Sequence, residues 1–324
     1  MKMWRPDRAV TGPFAAVEAD IPHLNRVFSD AFTDRYRRDG MVGVRVPELN
    51  PAIWRYALRD AGPGAMVWRD EDDALVAFNI AHHSGGEGWM GPLAVRPDRQ
   101  GLGVGGAIVR SAIEWLEGAD VGTIGLETMP RTVDNIGFYS RIGFVPGHLT
   151  VTLSLDVVGQ AARERGTRLH RLQADERADL VRRCQDRLAT SAPDHDFTRE
   201  HELTQELAIG DTVVLETGGR VRAFALWHSA ALAESRPADE VRVLKLFAES
   251  AEAFGEVLRA VEACAVALSI RRVTVRCQTA FAASFRTLIA RGYQVRWTDL
   301  RMTLEGYPEV AVPEGEVLFS NWEI

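Results

Sequence analysis

The feature that most limits the possible folds of this chain is a glycine-rich loop, residues 100–106, which joins an apolar run to an amphipathic run. The apolar run, Trp89 to Val95, is typical of a strand, and residues 107–116 space their apolar side chains as a helix does. The first N–H groups of a helix have no acceptor inside it and carry the positive end of the helix dipole. Glycines before that end let the backbone close on a ligand, so the pattern predicts a phosphate or diphosphate site.

Two other interpretations of this loop stay open from the residues alone. A glycine cluster can be a tight turn with close packing. Gly101, Gly103 and Gly106 also fit the dinucleotide pattern G-x-G-x-x-G, with Glu127 about where that fold has its ribose-binding acid. Against the dinucleotide fold, residues 96–100 separate the strand from the glycines, and the upstream segment lacks an alternation of strands and helices.

The loop and one later segment resemble the GCN5-related N-acetyltransferases, the GNAT superfamily. Residues 100–105, Q-G-L-G-V-G, are similar to motif A of that family, and residues 93–97, L-A-V-R-P, are typical of the strand before it. Residues 135–144, N-I-G-F-Y-S-R-I-G-F, are similar to the family's asparagine-containing helix, its tyrosine and the Gly-Phe that enters a strand. The resemblance covers residues 8–155 and implies that the following residues bind coenzyme A: Leu93, Ala94, Val95, Gln100, Gly101, Leu102, Gly103, Val104, Gly105, Gly106, Asn135 and Phe138.

The second half of the chain reads as a decayed copy of the first. A single shift of 149 residues places Gly143-Phe144 on Gly292-Tyr293, residues 108–112 on 257–261, and the strand 123–128 on 272–277. Most site residues are lost under that shift, and of the loop glycines compared only Gly106 keeps a glycine, Gly255. The shift places Ser250 on Gly101, Glu252 on Gly103, Phe254 on Gly105, Ser284 on Asn135 and Leu288 on Tyr139. We therefore expect the fold to be kept and the anion site to be lost in the second half.

The expected fold is α/β (α+β), with two tandem GNAT-like domains, each a mixed, mostly antiparallel twisted sheet flanked by helices. Residues 1–157 form the expected catalytic domain and residues 158–324 the non-catalytic one, joined by a polar linker at residues 156–167. The resemblance also implies that the charged segment 34–51 shapes the pocket for the acceptor.

Composition limits the partners of the chain. A net charge of -7 at pH 7 disfavours nucleic acid. It does not preclude an anion bound locally, because Arg96 and Arg99 flank the glycine-rich loop. Three widely spaced cysteines without a C-x-x-C pattern indicate reduced thiols, and no metal site is predicted. The first residues show no apolar signal segment, and no run is long enough for a membrane span, so a cytoplasmic protein without a membrane partner is expected.

Acyl transfer from a thioester to an amine needs a base for the ammonium, donors for the oxyanion and an acid for the leaving thiolate. Tyr139 is the candidate acid, because a tyrosine near its reference pKa of about 10 is protonated at neutral pH. Glu127 and Glu87 are the first candidates for the base, with His82 and His83 as alternatives. By resemblance, the oxyanion donor is a backbone N–H of the strand at residues 93–95.

The sequence thus predicts an N-acyltransferase that moves an acetyl or short acyl group from coenzyme A to a primary amine of a small molecule or peptide, as a monomer or homodimer. Two alternatives stay open, a non-catalytic acyl-CoA sensor or interaction protein and a nicotinamide-dependent dehydrogenase.

Overall fold

The resemblance implies the order strand-helix-helix-strand-strand-strand-helix-strand-helix-strand for the N-terminal half, and the structure has this order. The computed structural model describes residues 9–157 and 165–322. Its first ten strands and helices, in chain order, are β1 (Val10–Ala15), α1 (Ile21–Arg38), α2 (Pro51–Ala61), β2 (Ala65–Asp70), β3 (Leu75–Ser84), β4 (Glu87–Val95), α3 (Val104–Gly118), β5 (Thr123–Thr128), α4 (Val133–Ile142) and β6 (Phe144–Asp156).

The C-terminal half repeats this order and adds one strand. Its elements are β7 (Thr167–Arg168), α5 (Ala174–Ser191), α6 (Thr198–Glu206), β8 (Gly210–Thr217), β9 (Arg220–His228), β10 (Glu240–Ala248), α7 (Ala251–Ala267), β11 (Arg272–Gln278), α8 (Ala282–Ala290), β12 (Gln294–Leu304) and β13 (Val317–Ser320). The predicted linker begins where β6 ends and stops where β7 begins. Residues 1–8 and 158–164 lie outside the described residues. The expectation about the start of the chain and the expected 157/158 domain boundary fall on these residues.

Local chemistry explains most helix starts. α2 begins at Pro51, which suits a first helical turn, and the Asn50 side chain accepts a hydrogen bond from the Ala52 N–H at 3.0 Å. Asp20 directly precedes an amphipathic run, so the sequence predicts that it caps the helix that follows. It does stand at the N-cap of α1, but its side chain does not cap the helix. Its carboxylate instead accepts from the Val17 N–H at 3.1 Å and from Arg69 at 2.5 Å. A long-range ion pair has taken the place of the predicted local cap.

Within the described residues, the strands form one continuous sheet. Its order is β1-β2-β3-β4-β5-β12-β6-β11-β10-β9-β8-β7, with β13 paired to β10. Only two of the recorded pairs, β4 with β5 and β10 with β11, are parallel, so the sheet is mixed and mostly antiparallel, as expected. Sequence reasoning did not foresee that the two halves share their sheet.

The halves are joined by an exchange of strands. β12, from the C-terminal half, lies between β5 and β6, and β6 lies between β12 and β11. The registers obey the 149-residue shift: Arg301 is opposite Glu127 in one pairing, and Thr152 is opposite Arg276 in the other. The pair of Thr150 and Asp299 is its own image under the shift. A pseudo-twofold axis therefore passes through the middle of the sheet.

Helices cover both faces of this sheet and bury separate apolar clusters. In the N-terminal half, α1 and α2 pack Leu24 and Trp54 against Phe78 of β3. In the C-terminal half, α7 packs Val257 and Val261 against the strands around it. Among the described residues, no helix combines the length and the apolar character needed to cross a membrane.

Candidate functional site

The main cavity lies between the two halves and has a volume of about 610 Å³. The N-terminal half lines it with parts of α1, β4, β5 and α4. The C-terminal half contributes Leu232, Arg276, Asp299, Arg301, Asn321 and Trp322. The exchange of strands explains this composite wall, because it brings β12 directly against β5.

A gap between two parallel strands opens into this cavity. The pairing of β4 with β5 ends at Met90 opposite Leu126, so the rest of β4 diverges from β5. On its other side, β4 stays paired with β3 as far as Val95, opposite Ala77. Leu93, Ala94 and Val95 line the cavity at this gap, as the resemblance implies for the strand beside an extended ligand arm. The free edge of β4 can therefore donate and accept hydrogen bonds to a bound molecule.

The glycine-rich loop follows directly and opens α3 without a side-chain cap. Gly101 and Gly103 have φ values of +76° and +84°, which other residues adopt at a cost. A Cβ atom at either glycine would meet nothing within 4 Å, so the space beside the loop is open. Gly103 is the N-cap and has no side chain to satisfy the first helical N–H groups. The loop therefore fits a diphosphate in both space and polarity.

The other residues predicted to bind coenzyme A lie around this loop. They differ in whether their side chains line the cavity. Gln100 lines the cavity, and its Nε2 donates to the Val95 carbonyl at 2.9 Å, which ties the loop to the end of β4. Asn135 and Phe138 line the cavity from α4, and Phe138 lies 3.6 Å from a Cβ placed on Gly105. The Leu102 side chain is exposed.

The two arginines beside the loop are engaged elsewhere. Arg99 is buried and donates to Asp70 at 2.8 Å. Arg96 donates to Asp98 at 2.6 Å and to Asp70 at 3.3 Å. Buried Asp70 therefore already compensates part of the positive charge that these two side chains place beside the loop. The uncapped N–H groups at the start of α3 add a positive potential of their own.

Tyr139 lies in the cavity wall on α4. Its ring packs against Phe138 and Phe144, with centroids 5.0 Å and 6.1 Å away. Burial raises the pKa of its hydroxyl to about 12, so the group stays protonated at any physiological pH. No hydrogen bond joins this hydroxyl to another residue in the described part of the chain, which leaves its proton available to a ligand.

Glu127 also lines the cavity, but it is bound as an anion. Arg276 donates to one carboxylate oxygen, and Arg301 and Thr150 donate to the other at 2.8 Å and 2.5 Å. Burial alone would raise the pKa of this carboxyl, but the two guanidinium groups and the hydroxyl together hold it below its usual value. Such a carboxylate has little tendency to take a proton.

Glu87 lies outside the main cavity, in a separate pocket of about 40 Å³. Its carboxylate accepts from the Trp89 indole at 2.8 Å and from the Ser320 hydroxyl at 2.6 Å, and His195 lies 3.4 Å away. Burial opposes ionisation, but His195, Lys245 and Ser320 lower the pKa to about 2. Glu87 is thus a structural anion between the halves, and we leave it out of the proposed chemistry.

The histidines considered as bases are also outside the lining of the cavity. The buried His82 has its Nδ1 2.7 Å from Asp60 and stacks on Trp322, with centroids 4.8 Å apart. His83 packs against Trp115 on the other face of the sheet. His82 therefore supports the cavity wall from behind through Trp322.

The corresponding place in the C-terminal half is closed by the chain itself. β10 pairs with β11 only from Glu240 to Val243, and its remaining part, Lys245 to Ala248, pairs with β13. β13 therefore fills the gap that stays open between β4 and β5. The helix that follows, α7, starts three residues after β10 ends, and the Ser250 hydroxyl caps it by accepting from the Ala253 N–H at 3.2 Å.

The comparison of these two regions also shows where the 149-residue repeat stops holding. The shift of 149 holds from α3 onward, but Glu240 stands four positions later than the shift predicts from Glu87. The second half has thus lost four residues between this strand and the helix, in the region of the glycine-rich loop. Ser250 rather than Glu252 occupies the N-cap position of Gly103.

Sequence reasoning missed the contributions of the second half, above all Asp299, Arg276 and Trp322. The shift of 149 does place the acidic Glu127 on the basic Arg276, and this change of charge was a visible signal in the sequence. Nothing in the sequence indicates that these side chains enter the site of the first half. In the described residues, no group of His, Cys, Asp or Glu side chains is arranged to hold a metal ion.

Comparisons with known proteins agree with this geometry. Residues 26–144 match the model of the acetyltransferase (GNAT) family. The chain is 32% identical over 78 residues to the uncharacterized N-acetyltransferase ycf52 of Pyropia yezoensis. That match covers 24% of this chain and spans less than half, 43%, of the relative.

Three solved structures have the same fold over nearly the whole chain. A Pyrococcus horikoshii protein provisionally designated an acetyltransferase has a TM-score of 0.68 at 14% identity, covering 99% of this chain and 96% of its own. A GCN5-related N-acetyltransferase of Sphaerobacter thermophilus has a TM-score of 0.60 at 16% identity, covering 94% and 98%. A tandem GNAT protein from the clavulanic acid biosynthesis pathway has a TM-score of 0.59 at 14% identity, covering 93% and 100%. The family model thus places a GNAT domain in residues 26–144, and the matches to solved structures show that nearly the whole chain has the fold of a tandem GNAT protein.

Proposed function

We propose that this protein is an N-acyltransferase that moves an acetyl or other short acyl group from coenzyme A to a primary amine of a small molecule or peptide. The observation that carries the proposal is the difference between the halves. The first half keeps an open β4–β5 gap above an uncapped helix N-terminus, and the second half fills both places with its own chain.

The substrate thioester fits the first half in three places. The N–H groups at the start of α3 would hold the diphosphate, the free edge of β4 would hold the extended arm, and Tyr139 would lie near the sulfur. We also propose residues 1–157 as the catalytic domain and residues 158–324 as the non-catalytic one. The second half then serves as a wall of the site, and the cytoplasm, which supplies acyl-CoA, is the proposed compartment.

The chemistry follows from these positions. The protonated hydroxyl of Tyr139 is suited to give its proton to the departing sulfur, which prevents the thiolate from attacking again. A backbone N–H of β4 near Leu93 is the proposed donor to the oxyanion. Glu127 is proposed to keep Arg276 and Arg301 in place rather than to act as the base, because three donors already stabilise its anion.

The proposal is tested by binding and turnover together. Isothermal titration with acetyl-CoA is expected to show one site per chain, and thiol release in the presence of a panel of amines is expected to depend on the amine. Mass spectrometry then identifies the acylated product. Binding without thiol release across the panel would favour an acyl-CoA sensor, and stabilisation by NAD but not by acetyl-CoA would remove the assignment.

A further inference from the structure

We propose that Asp299, brought into the cavity by the exchanged strand β12, binds the ammonium of the acceptor and takes its proton, and that this amine is carried on an apolar body. The inference rests on the proposed acyltransferase function and extends it to the base and to the class of acceptor. It revises the division proposed above in one respect, because the C-terminal half, which has no open gap of its own for acyl-CoA, then supplies the base of the reaction.

Three carboxyl groups line the cavity in the described part of the chain, and the charge of Asp299 is the least compensated of them. Asp34 and Glu127 each pair with two arginines, whereas Asp299 pairs with one, which it shares with Glu127. Asp34 is held by Arg37 at 2.5 Å and Arg38 at 2.6 Å. Glu127 has three donors, as described above. Asp299 accepts one bond from Arg276 at 2.9 Å and one from the indole of Trp297 at 3.1 Å, which leaves lone pairs on both oxygens.

The groups around Asp299 keep its affinity for a proton high. Arg276 of β11 and Glu127 of β5 face it, Tyr36 faces it from α1, and Trp297 lies on its own strand. Burial and the negative charge of Glu127 raise the pKa of Asp299 above the usual aspartate value, while Arg276 opposes this. Glu127 and Asp299 share one nitrogen of Arg276, so the guanidinium is only partly available to either. A cationic amine would supply the charge that the pair still lacks.

Part of the cavity wall is apolar, although Asp34, Arg35 and Arg38 of α1 also line the cavity. Tyr36 packs near Trp297, with ring centroids 6.1 Å apart, and it lies one turn of α1 beyond Phe32 and two turns beyond Phe28. Along a helix those two steps span roughly 12 Å. Both phenylalanines line the cavity, together with Trp322 from the C-terminal end of the described chain. An amine with an aromatic or aliphatic body would bury that body here while its ammonium reaches Asp299.

The proton balance of the step is complete with these groups. The ammonium gives one proton to the Asp299 carboxylate, and the neutral nitrogen then attacks the carbonyl carbon of the thioester. The C–S bond breaks, and the sulfur takes the hydroxyl proton of Tyr139. The second proton lost by the nitrogen, carried by water, restores Tyr139, and Asp299 returns its proton to solvent when the amide leaves.

The test compares D299N, D299E and E127Q by steady-state kinetics over pH 5 to 9, with 2-phenylethylamine as the apolar probe and spermidine as the polar one. For D299N we expect kcat/KM to fall by about 10²–10⁴-fold, the range of general-base catalysis, with the Kd for acetyl-CoA within about twofold of wild type. The low-pH limb of kcat/KM, on which activity rises as Asp299 loses its proton, should disappear in D299N. It should persist in E127Q and be partly restored in D299E.

The other outcomes separate the two proposals. Thiol release with D299N at the wild-type rate and pH profile would overturn the role of Asp299 while leaving the acyltransferase function standing. Loss of the limb in E127Q and its retention in D299N would assign the base to Glu127. A higher kcat/KM for spermidine than for 2-phenylethylamine would refute the apolar class of acceptor. Absence of transfer to any amine by the wild-type protein would instead count against the proposed function itself.

Discussion

A glutamate in place of Gly103 should separate the electrostatics of the diphosphate cradle from its shape. Gly103 is the N-cap of α3 at φ +84°, and nothing lies within 4 Å of a Cβ built there. A glutamate or a glutamine therefore meets no clash, but both must adopt the left-handed conformation, which costs about 1–2 kcal/mol. Since about 1 kcal/mol changes Tm by roughly 2–4 °C in a chain of this size class, each variant should melt a few degrees lower.

G103E and G103Q should then differ in both stability and binding. The charged variant should be the more stable of the two and the weaker binder of coenzyme A. A carboxylate near the N-terminus of a helix stabilises it by roughly 0.3–1 kcal/mol, so G103E should melt slightly above G103Q. The same carboxylate about 4 Å from a bound diphosphate costs about 4 kcal/mol at an effective dielectric constant of 20. That energy corresponds to a Kd for coenzyme A roughly 10³-fold higher in G103E, whereas G103Q should lose far less.

Isothermal titration with coenzyme A and with pantetheine, which lacks the diphosphate, is the assay. Pantetheine should bind both variants equally, and E252Q, in the first turn of the corresponding helix α7, should leave both affinities unchanged. Equal losses of coenzyme A affinity in G103E and G103Q would refute the electrostatic reasoning. Unchanged affinity in both variants would show that the diphosphate is held elsewhere.

Three further predictions follow from the contacts of single residues. Y139F should leave the Kd for acetyl-CoA unchanged but lower kcat by about 10²-fold or more, because the general acid is lost; a titration beside a turnover assay measures both, and equal rates would remove Tyr139 from the mechanism. G125A should destabilise the protein by about 1–3 kcal/mol, because the added Cβ would lie 2.5 Å from the Trp89 ring. The control G122A should be tolerated, because its Cβ would meet nothing closer than 3.9 Å. Equal melting temperatures of the two variants would contradict this packing. Burial raises the pKa of the Glu200 carboxyl from 4.5 to about 7, so the folded state binds the extra proton and the contribution of this group to stability falls as pH rises from about 4.5 to 7. Denaturant unfolding of E200Q between pH 5 and 8 should lack that decline relative to wild type, and an identical pH profile in both proteins would exclude it.

Much of the first half could be predicted because its signals are local. The glycines of residues 101–106, the helix that follows and the tyrosine of α4 are recognisable from short stretches, since helix starts and tight loops depend on neighbouring residues. The element order of the GNAT fold followed from the same signals and is confirmed. The cap expected from Asp20 failed, because its carboxylate is held by Arg69, a partner far away in sequence.

The sequence by itself determined the order of strands and helices, the uncapped loop before α3, and a second half that repeats the first without its glycines. Tertiary structure decided where the C-terminal half contributes. The exchange of β6 and β12 puts Asp299 and Arg301 beside Glu127, and β13 occupies the gap that stays open in the first half. The physical reason is that a strand offers the same N–H and C=O groups to any neighbour, so the pairing between distant strands depends on how the whole sheet closes.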